Sequence, residues 1–442
     1  MTYPDLLDRD IETLDAPEVR KMQDDKWARQ WAYVHARSKM YREKFGPAAR
    51  DVTLDTLQDL PFTGKEDLRK AQENDYPFGT YIACHPDKVV RVHRTSGTTG
   101  RALILANSQR DVDIIARQGA RGLWASGLRP SDRVVHCLNY QMWTGGVTDH
   151  MALEATGATV LPFGVGGTRR LLEVIQELGI TAISCTPSYP ALLETILRKE
   201  MDMDPRDLGL RLALFGGEAG LDNIELRQGM EAKWGFGVRN ANFGLSEVMS
   251  LMGSQCEHTN DLHFHSSDAV FVELIDPKTE QRLDIVEGAS GELVCTHLEK
   301  ECQPLVRYRT RDVLTITGTG RCGCGRTGFR FRVSGRTDDM FNVRGINIFP
   351  SAVQQVVSAS GDIASGHFRI LLEGPGPYDR IRLRVEAAQM LSQQDWEDAG
   401  RALGNRVQEV IGASAIVEMI AFESLQRTDG KTALVEILEA AQ

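Results

Sequence analysis

The sequence has no apolar run that approaches the ~20 residues a membrane-spanning helix needs. Cysteine is scarce, eight in 442 residues, too few for a disulfide scaffold. Five of them, Cys84, Cys137, Cys185, Cys295 and Cys302, are expected to pack singly as small core residues. Positive charge is not in excess: 51 Lys+Arg stand against 61 Asp+Glu, a net charge of −10. That argues against a nucleic-acid partner and leaves room for a local basic patch that takes a phosphorylated ligand. The opening Met1-Thr2-Tyr3-Pro4-Asp5 lacks the basic and apolar regions of a secretory signal. Internal repeats, low-complexity tracts and the GxxxxGK[ST] phosphate loop are also missing. These absences predict a soluble, cytoplasmic protein without a membrane partner.

What is present is ordinary globular text, 42% hydrophobic and 25% charged, long enough for two or three domains at roughly 150 residues each. Residues 26–45 carry Trp27, Trp31, Val34, Met40 and Tyr41 at mostly helical spacing, which predicts one amphipathic helix. Beyond residue 108 helices alternate with short apolar strands at 134–138, 182–185 and 212–215. A helix at 171–178 is stopped by Gly179. Alternation of this kind predicts parallel βαβ units, whose ligands bind beyond the carboxyl ends of the strands. From residue 269 the text turns β-rich. After residue 335 it offers strands at 368–372, 381–385 and 415–420 and a helix near 394–411. The expected architecture is α/β: a large N-terminal domain, 1–335, with parallel βαβ sheets plus a β-rich subdomain, then a small mobile α+β domain, 336–442.

Thr95-Ser96-Gly97-Thr98-Thr99-Gly100-Arg101 is the sharpest local signal. Two glycines let backbone N–H groups turn toward one point and the hydroxyls add donors, as an anion cradle requires; an ordinary Ser/Thr/Gly turn reads the same way. Ser108 is a candidate N-cap for the helix that follows. Further on come Phe215-Gly216-Gly217-Glu218, Asn242-Phe243-Gly244-Leu245-Ser246-Glu247, Arg307-Tyr308-Arg309-Thr310-Arg311-Asp312, Gly335-Arg336-Thr337-Asp338-Asp339-Met340, and Arg344-Gly345. This ordered set resembles the adenylate-forming superfamily of acyl- and aryl-coenzyme A ligases. Within it, LPFTGKEDL at 60–68, YPFG at 76–79, WTGG at 143–146 and GINIFP at 345–350 make the chain similar to the phenylacetate–coenzyme A ligase family, from about residue 26 to 431.

The resemblance implies an aryl-carboxylate–coenzyme A ligase with two half-reactions. The carboxylate attacks the α-phosphorus of ATP to give an aryl-adenylate and pyrophosphate, and the coenzyme A thiol then displaces AMP. Carried over residue by residue, Ser96, Gly97, Thr98, Thr99 and Gly100 hold the ATP phosphates, with Arg101 where many members have Lys. Gly216, Gly217 and Glu218 lie along the adenine and acyl pocket, and Asn242, Phe243 and Gly244 along the adenine, Phe243 replacing the usual Tyr. Glu247 holds Mg²⁺. Asp312 accepts from the ribose hydroxyls, and Arg336 lies near ribose and phosphate. Tyr140, Trp143, Thr144 and Gly145 line the acyl pocket, where the Tyr140 hydroxyl suits an amino- or hydroxybenzoate-type acid. Asp338 is the hinge, Arg344 and Gly345 face the coenzyme A channel, and Lys431 is the adenylation lysine. A homodimer is also implied. Each residue has a plainer alternative: Glu218 at a solvated helix start, Phe243 and Tyr140 in the core, Lys431 at the surface.

Cys256-Glu257-His258 and Cys322-Gly323-Cys324 offer three thiolates and an imidazole, a set suited to tetrahedral Zn²⁺. His258 is the expected fourth ligand, with His263 and His265 as substitutes. The resemblance makes this a structural site, and free buried thiols are the alternative. Two other functions stay open: an adenylating enzyme that loads a carrier protein, and a non-catalytic, zinc-stabilised nucleotide-binding protein.

Overall fold

A computed structural model describes residues 3–46, 49, 51–95, 101–218, 221, 223–344, 346–374, 376, 378–388, 391–425 and 434–438. Met1–Gly216, Lys233–Thr310 and Leu314–Arg332 form one compact unit; Gly217–Ala232, Arg311–Val313 and Val333–Gln442 form a second.

Local signals place most elements of the larger unit. Asp15 starts the helix Ala16–Arg37 through a reciprocal capping box with Glu18. The single helix expected over 26–45 is in fact two, because Ser38 takes an extended conformation and caps Lys39–Phe45 by accepting from the Tyr41 N–H. Ser108 caps Gln109–Ala125 in a second capping box with Asp111. Thr168–Leu178 ends where Gly179 adopts φ 55°, the left-handed C-cap that glycine permits. Cys84 and Cys302, expected to pack singly, are neighbours across the chain, their sulfurs 2.8 Å apart.

A twelve-stranded sheet organises the fold. From one edge, Thr159–Pro162, Arg133–His136, Ala182–Cys185, Leu212–Gly216 and Gly237–Leu245 run parallel. Their apolar side chains, Val134, Ala182, Leu212 and Leu214 among them, build a core with Leu123 and Leu128 from the flanking helix and its exit turn. At Met249–Gln255 the pairing becomes antiparallel, and the sheet continues through Leu262–Phe264, Arg330–Arg336, Tyr308–Gly318, Ser290–His297, Val270–Ile275 and Arg282–Leu283. The β-rich text after residue 269 thus extends the sheet that the βαβ units begin.

In the smaller unit, strands Ala415–Ile420, Ile381–Ala387, Ala364–Glu373 and Val435–Leu438 lie side by side in that order. Helices Pro350–Ser358 and Trp396–Ile411 bury Val353, Val357, Leu403 and Val407 with Phe368, Ile370, Leu383 and Val385 of the sheet. This is the α+β unit that the alternation of strand and helix predicts. Among the described residues, no helix is long and apolar enough to cross a membrane.

Candidate active site

Two motif residues of the larger unit, Gly216 and Asn242, meet at the ends of the parallel strands. Gly216 closes its strand directly opposite Asn242 on the next. A Cβ on Gly216 would sit 2.5 Å from the Asn242 Cβ, so glycine is required for the two strands to keep this register. Leu138, Asp149, Ser184, Phe215, Gly216 and Asn242 line a small cavity at these ends. Asn242 donates its amide N–H to Asp149, which also accepts from the Thr148 hydroxyl at 3.5 Å. Burial of Asp149 pushes its carboxyl well above the usual carboxylate range. Phe243, half-buried, meets the buried Phe331 edge-on with ring centroids 5.1 Å apart.

Glu247 keeps 9% side-chain exposure, and its partner is the Lys65 ammonium at 2.9 Å. Lys65 is the first residue of the helix Lys65–Asn74, which gives the LPFTGKEDL segment a charge to deliver. Arg101 lies over the Tyr76 ring, 4.8 Å from its centroid.

The loop after Arg133–His136 carries Tyr140 and Trp143, and Trp143 is the N-cap position of Thr144–Glu154. Thr144, Gly145 and Gly146 are buried. Gly146 lets the helix close on its own loop, since a Cβ there would stand 2.7 Å from the Tyr140 Cα. His136 locks the closure: its ring bonds the Ser184 hydroxyl through Nδ1 and the Gly146 carbonyl through Nε2, both at 3.0 Å. Burial lowers its pKa to about 4, so the imidazole is neutral, with Nε2–H donating and Nδ1 accepting. The Tyr140 hydroxyl bonds His150 Nδ1 at 3.0 Å, and His150 Nε2 lies 3.1 Å from a Glu154 carboxylate oxygen.

Sequence reading missed Asp149, His136, His150, Glu154 and the role of Lys65. The available signal was an aspartate between apolar Val147 and Met151 in a helical stretch, since an ionisable group that enters a core needs a partner.

In the smaller unit, Gly217 follows the strand end with φ 83°, and Glu218 is half-buried. Asp312 is buried and receives the Arg336 guanidinium at 2.9 Å. The other side of that guanidinium makes two 3.0 Å bonds to Asp338. The expected ribose acceptor, phosphate-side arginine and hinge residue are therefore one hydrogen-bonded group. Arg344 is exposed, at φ 48°, with Asp379 at 3.8 Å. Ser96, Gly97, Thr98, Thr99, Gly100, Gly345 and Lys431 lie outside the described residues.

The metal reading needs one change. Cys256, His263, Cys322 and Cys324 come together, their ligand atoms all within 4.8 Å of one another. The Cys256 and Cys322 sulfurs are 3.9 Å apart, and Cys324 Sγ is 3.6 Å from His263 Nε2. A zinc tetrahedron with ~2.3 Å Zn–S and ~2.0 Å Zn–N bonds has edges of roughly these lengths. The fourth member is His263 and not His258. His258 is exposed, and its backbone N–H donates to the Cys256 sulfur at 3.3 Å. Cys256 follows the strand Met249–Gln255, which returns as Leu262–Phe264 with Ser254 opposite His263. That hairpin swings His263 back to the cysteine, while His258 rides the turn. His265 bonds the Ser254 hydroxyl at 3.2 Å, away from the cluster. Hydrogen bonds from Cys256 and His263 hold the Cys324 thiol far below its ordinary value, which favours thiolate there.

The sequence matches the family described as AMP-binding enzyme over residues 28–297, and the AMP-binding enzyme C-terminal domain over residues 345–436. The chain belongs to the AMP-binding enzyme family, the adenylate-forming class to which its ordered motifs point. Its relatives place it with the phenylacetate–coenzyme A ligases. It is 35% identical to that of Thermus thermophilus over 86% of this chain and 84% of the relative. With that of Pseudomonas putida it shares 34% identity over 95% and 93%, and with that of Escherichia coli 32% over 96% of each. Among solved structures, a 2-hydroxyisobutyryl-CoA ligase in the postadenylation state superposes with a TM-score of 0.87 at 29% identity, covering 96% of this chain and 91% of that one.

Proposed function

We propose that this protein is an ATP-dependent aryl-carboxylate–coenzyme A ligase that works through an aryl-adenylate. It is an acid–thiol ligase of the AMP-forming kind, and carboxylate activation precedes transfer to the coenzyme A thiol. The observation that carries the reading is the strand-end geometry. Gly216 pairs with Asn242 on the next strand and both line a small cavity, with Phe243 next in line to stack on adenine and Glu247 four residues further on, in a chain that shares 32–35% identity with three phenylacetate–coenzyme A ligases.

Adenylation is dominated by positioning and by neutralising phosphate charge. In this reading Ser96, Gly97, Thr98, Thr99 and Gly100 cradle the ATP phosphates. Glu247 is the Mg²⁺ ligand; its carboxylate already faces a cation, the Lys65 ammonium, and Mg²⁺ supplies charge neutralisation on the phosphates. Asp312 accepts from the ribose hydroxyls while Arg336 orients it. Gly217 and Glu218 border the adenine. Tyr140, Trp143, Thr144 and Gly145 enclose the aryl ring. The smaller domain turns about Asp338 between half-reactions, withdrawing Lys431 and presenting Arg344 and Gly345 to the thiol. Cys256, His263, Cys322 and Cys324 hold a structural Zn²⁺; four protein ligands leave no open position for substrate.

Lys431 supplies the test. Its ammonium bridges the incoming carboxylate and the α-phosphate, where two anions meet. Lys431→Ala is expected to slow pyrophosphate release by ~10²-fold or more, and to make thioester from preformed aryl-adenylate at close to the parental rate. Equal slowing of both steps, in a variant whose melting temperature is unchanged, would refute the two-conformation mechanism. A panel of aryl acids, medium-chain fatty acids and 2-hydroxyisobutyrate, scored by mass spectrometry of the coenzyme A thioesters, tests the substrate class. Preference for the fatty acids removes the aryl reading.

A further inference from the structure

The Tyr140 hydroxyl ends a chain of three groups that runs outward along one helix. Its Oη is 3.0 Å from His150 Nδ1, and His150 Nε2 is 3.1 Å from Glu154 Oε1. Glu154, one turn beyond His150, is half-exposed, with 58% of its side chain accessible. Ionised carboxylates only accept hydrogen bonds. Nε2 must therefore carry the proton that it shares with Glu154. In a neutral imidazole the other nitrogen is then an acceptor, so the Tyr140 O–H is spent on Nδ1. The phenol oxygen keeps its lone pairs and has no proton left to offer elsewhere. Tyr140 is half-buried, four residues past the end of Arg133–His136. Its ring packs edge-on to His136, with centroids 5.5 Å apart. The ring is held against His136 and His150 while its hydroxyl bonds His150.

We infer that Glu154 and His150 are positioning residues that set Tyr140 as a hydrogen-bond acceptor toward the acyl substrate, selecting aryl acids whose ring bears a hydroxyl or amino donor. The inference rests on the ligase reading and on the acyl pocket lying at Tyr140. It adds what the pocket position alone does not contain: the polarity of the phenol, decided at a carboxylate two groups away. An acid with a ring O–H or N–H completes the chain. An acid that offers only an acceptor meets a lone pair instead, and loses the bond at the cost of a desolvated phenol oxygen.

The experiment reverses the chain at its outer end. Glu154→Lys replaces an acceptor-only group by a donor-only one. Nε2 must then accept, the ring proton moves to Nδ1, and Tyr140 accepts from His150 and donates toward the acid. Hydroxy- and fluoro-substituted aryl acids, matched at the ortho, meta and para positions, are compared by kcat/KM for pyrophosphate release at pH 8. Both acids of a pair carry the same carboxylate, so the added charge of Glu154→Lys cancels in their ratio. The parent is expected to favour the hydroxy acid by ~10²-fold at its best ring position. Glu154→Lys should lower that ratio ~10-fold or more with the melting temperature kept, and Tyr140→Phe should abolish it. The ¹⁵N resonances of His150, assigned by their loss in His150→Gln, should report Nε2–H in the parent and Nδ1–H in Glu154→Lys. A ratio in Glu154→Lys within twofold of the parent's, or a parent that favours the fluoro acid at every position, overturns the inference alone. A parent that releases pyrophosphate with no carboxylic acid at all overturns the ligase reading and this inference with it.

Discussion

The two halves of the twelve-stranded sheet hold charge in opposite ways. On the antiparallel side, Arg307 and Glu273 are almost wholly buried and bonded on several sides. The guanidinium makes two 3.0 Å bonds to the carboxylate, two more to the carbonyls of Gln58 and Leu60, and stacks over Phe62 at 4.0 Å. On the parallel side, Glu247 meets Lys65 through one ammonium contact, and the lysine side chain is 39% exposed. Both are Glu–cation pairs. The first is shut away from any ligand; the second can exchange its partner. Burial with several partners marks a group that holds the fold, and a single part-exposed contact beside strand ends marks one that can take a substrate or an ion.

Substitutions should split along the same line. Arg307→Ala leaves Glu273 buried without its counter-ion and is expected to cost about 3–5 kcal/mol of stability, read by denaturant unfolding. A loss under 1 kcal/mol would show that the antiparallel pair is not the anchor its geometry suggests. For the cluster, Cys322→Ser should remove the bound zinc equivalent found by elemental analysis and lower the melting temperature, while folded protein keeps adenylating. Zinc-free parent protein, prepared without chelators, would count against the metal.

Glu247→Gln should do the reverse. Adenylation is expected to fall ~10²-fold, with a stability change of about 1 kcal/mol or less because the pair is open to solvent on the lysine side. Losses of stability alike in Glu247→Gln and Arg307→Ala would erase the comparison.

The last effect is one of pH. Burial lowers His93, His136 and His297 to about 4, whereas the unfolded chain takes up those protons near the ordinary value of ~6.5. Between these values the unfolded state binds more protons, so stability rises with pH across that window and falls on acidification. Each histidine contributes up to ~1.4 kcal/mol per pH unit there. His136→Gln, which keeps bonds to Ser184 and Gly146 within reach of its amide, should flatten the slope of unfolding free energy between pH 6 and 4.5. An unchanged slope would mean that His136 takes up its proton in the folded state.

How far the sequence reached depended on distance along the chain. Caps and breakers act within about four residues, so Ser108 and Gly179 announced the helix ends they make. Ser38 carries the same kind of signal and was hidden by the apolar periodicity running through it, Trp27 and Trp31 on one helix and Tyr41 on the next. Strand ends followed by glycine located Gly216 and, with it, the edge where a ligand belongs. The ordered motifs named the family because their order is itself linear information.

Pairings across the fold were another matter. Cys256 and Cys322 are 66 residues apart, and which histidine joins them depends on the register of the hairpin between Met249–Gln255 and Leu262–Phe264. Asp149 reaches Asn242 across 93 residues, and His136 reaches Ser184 across 48. The sequence by itself determined the elements, the βαβ order and the chemical types at the site. The tertiary structure alone decided that His263 and not His258 stands beside the three cysteines, that Lys65 faces Glu247, and that Arg336 joins Asp312 to Asp338. The physical reason is that a cap or a turn is satisfied by its immediate neighbours, whereas the partner of a buried charge or a metal ligand is chosen by strand register, and a shift of one residue turns every side chain of a strand to the other face.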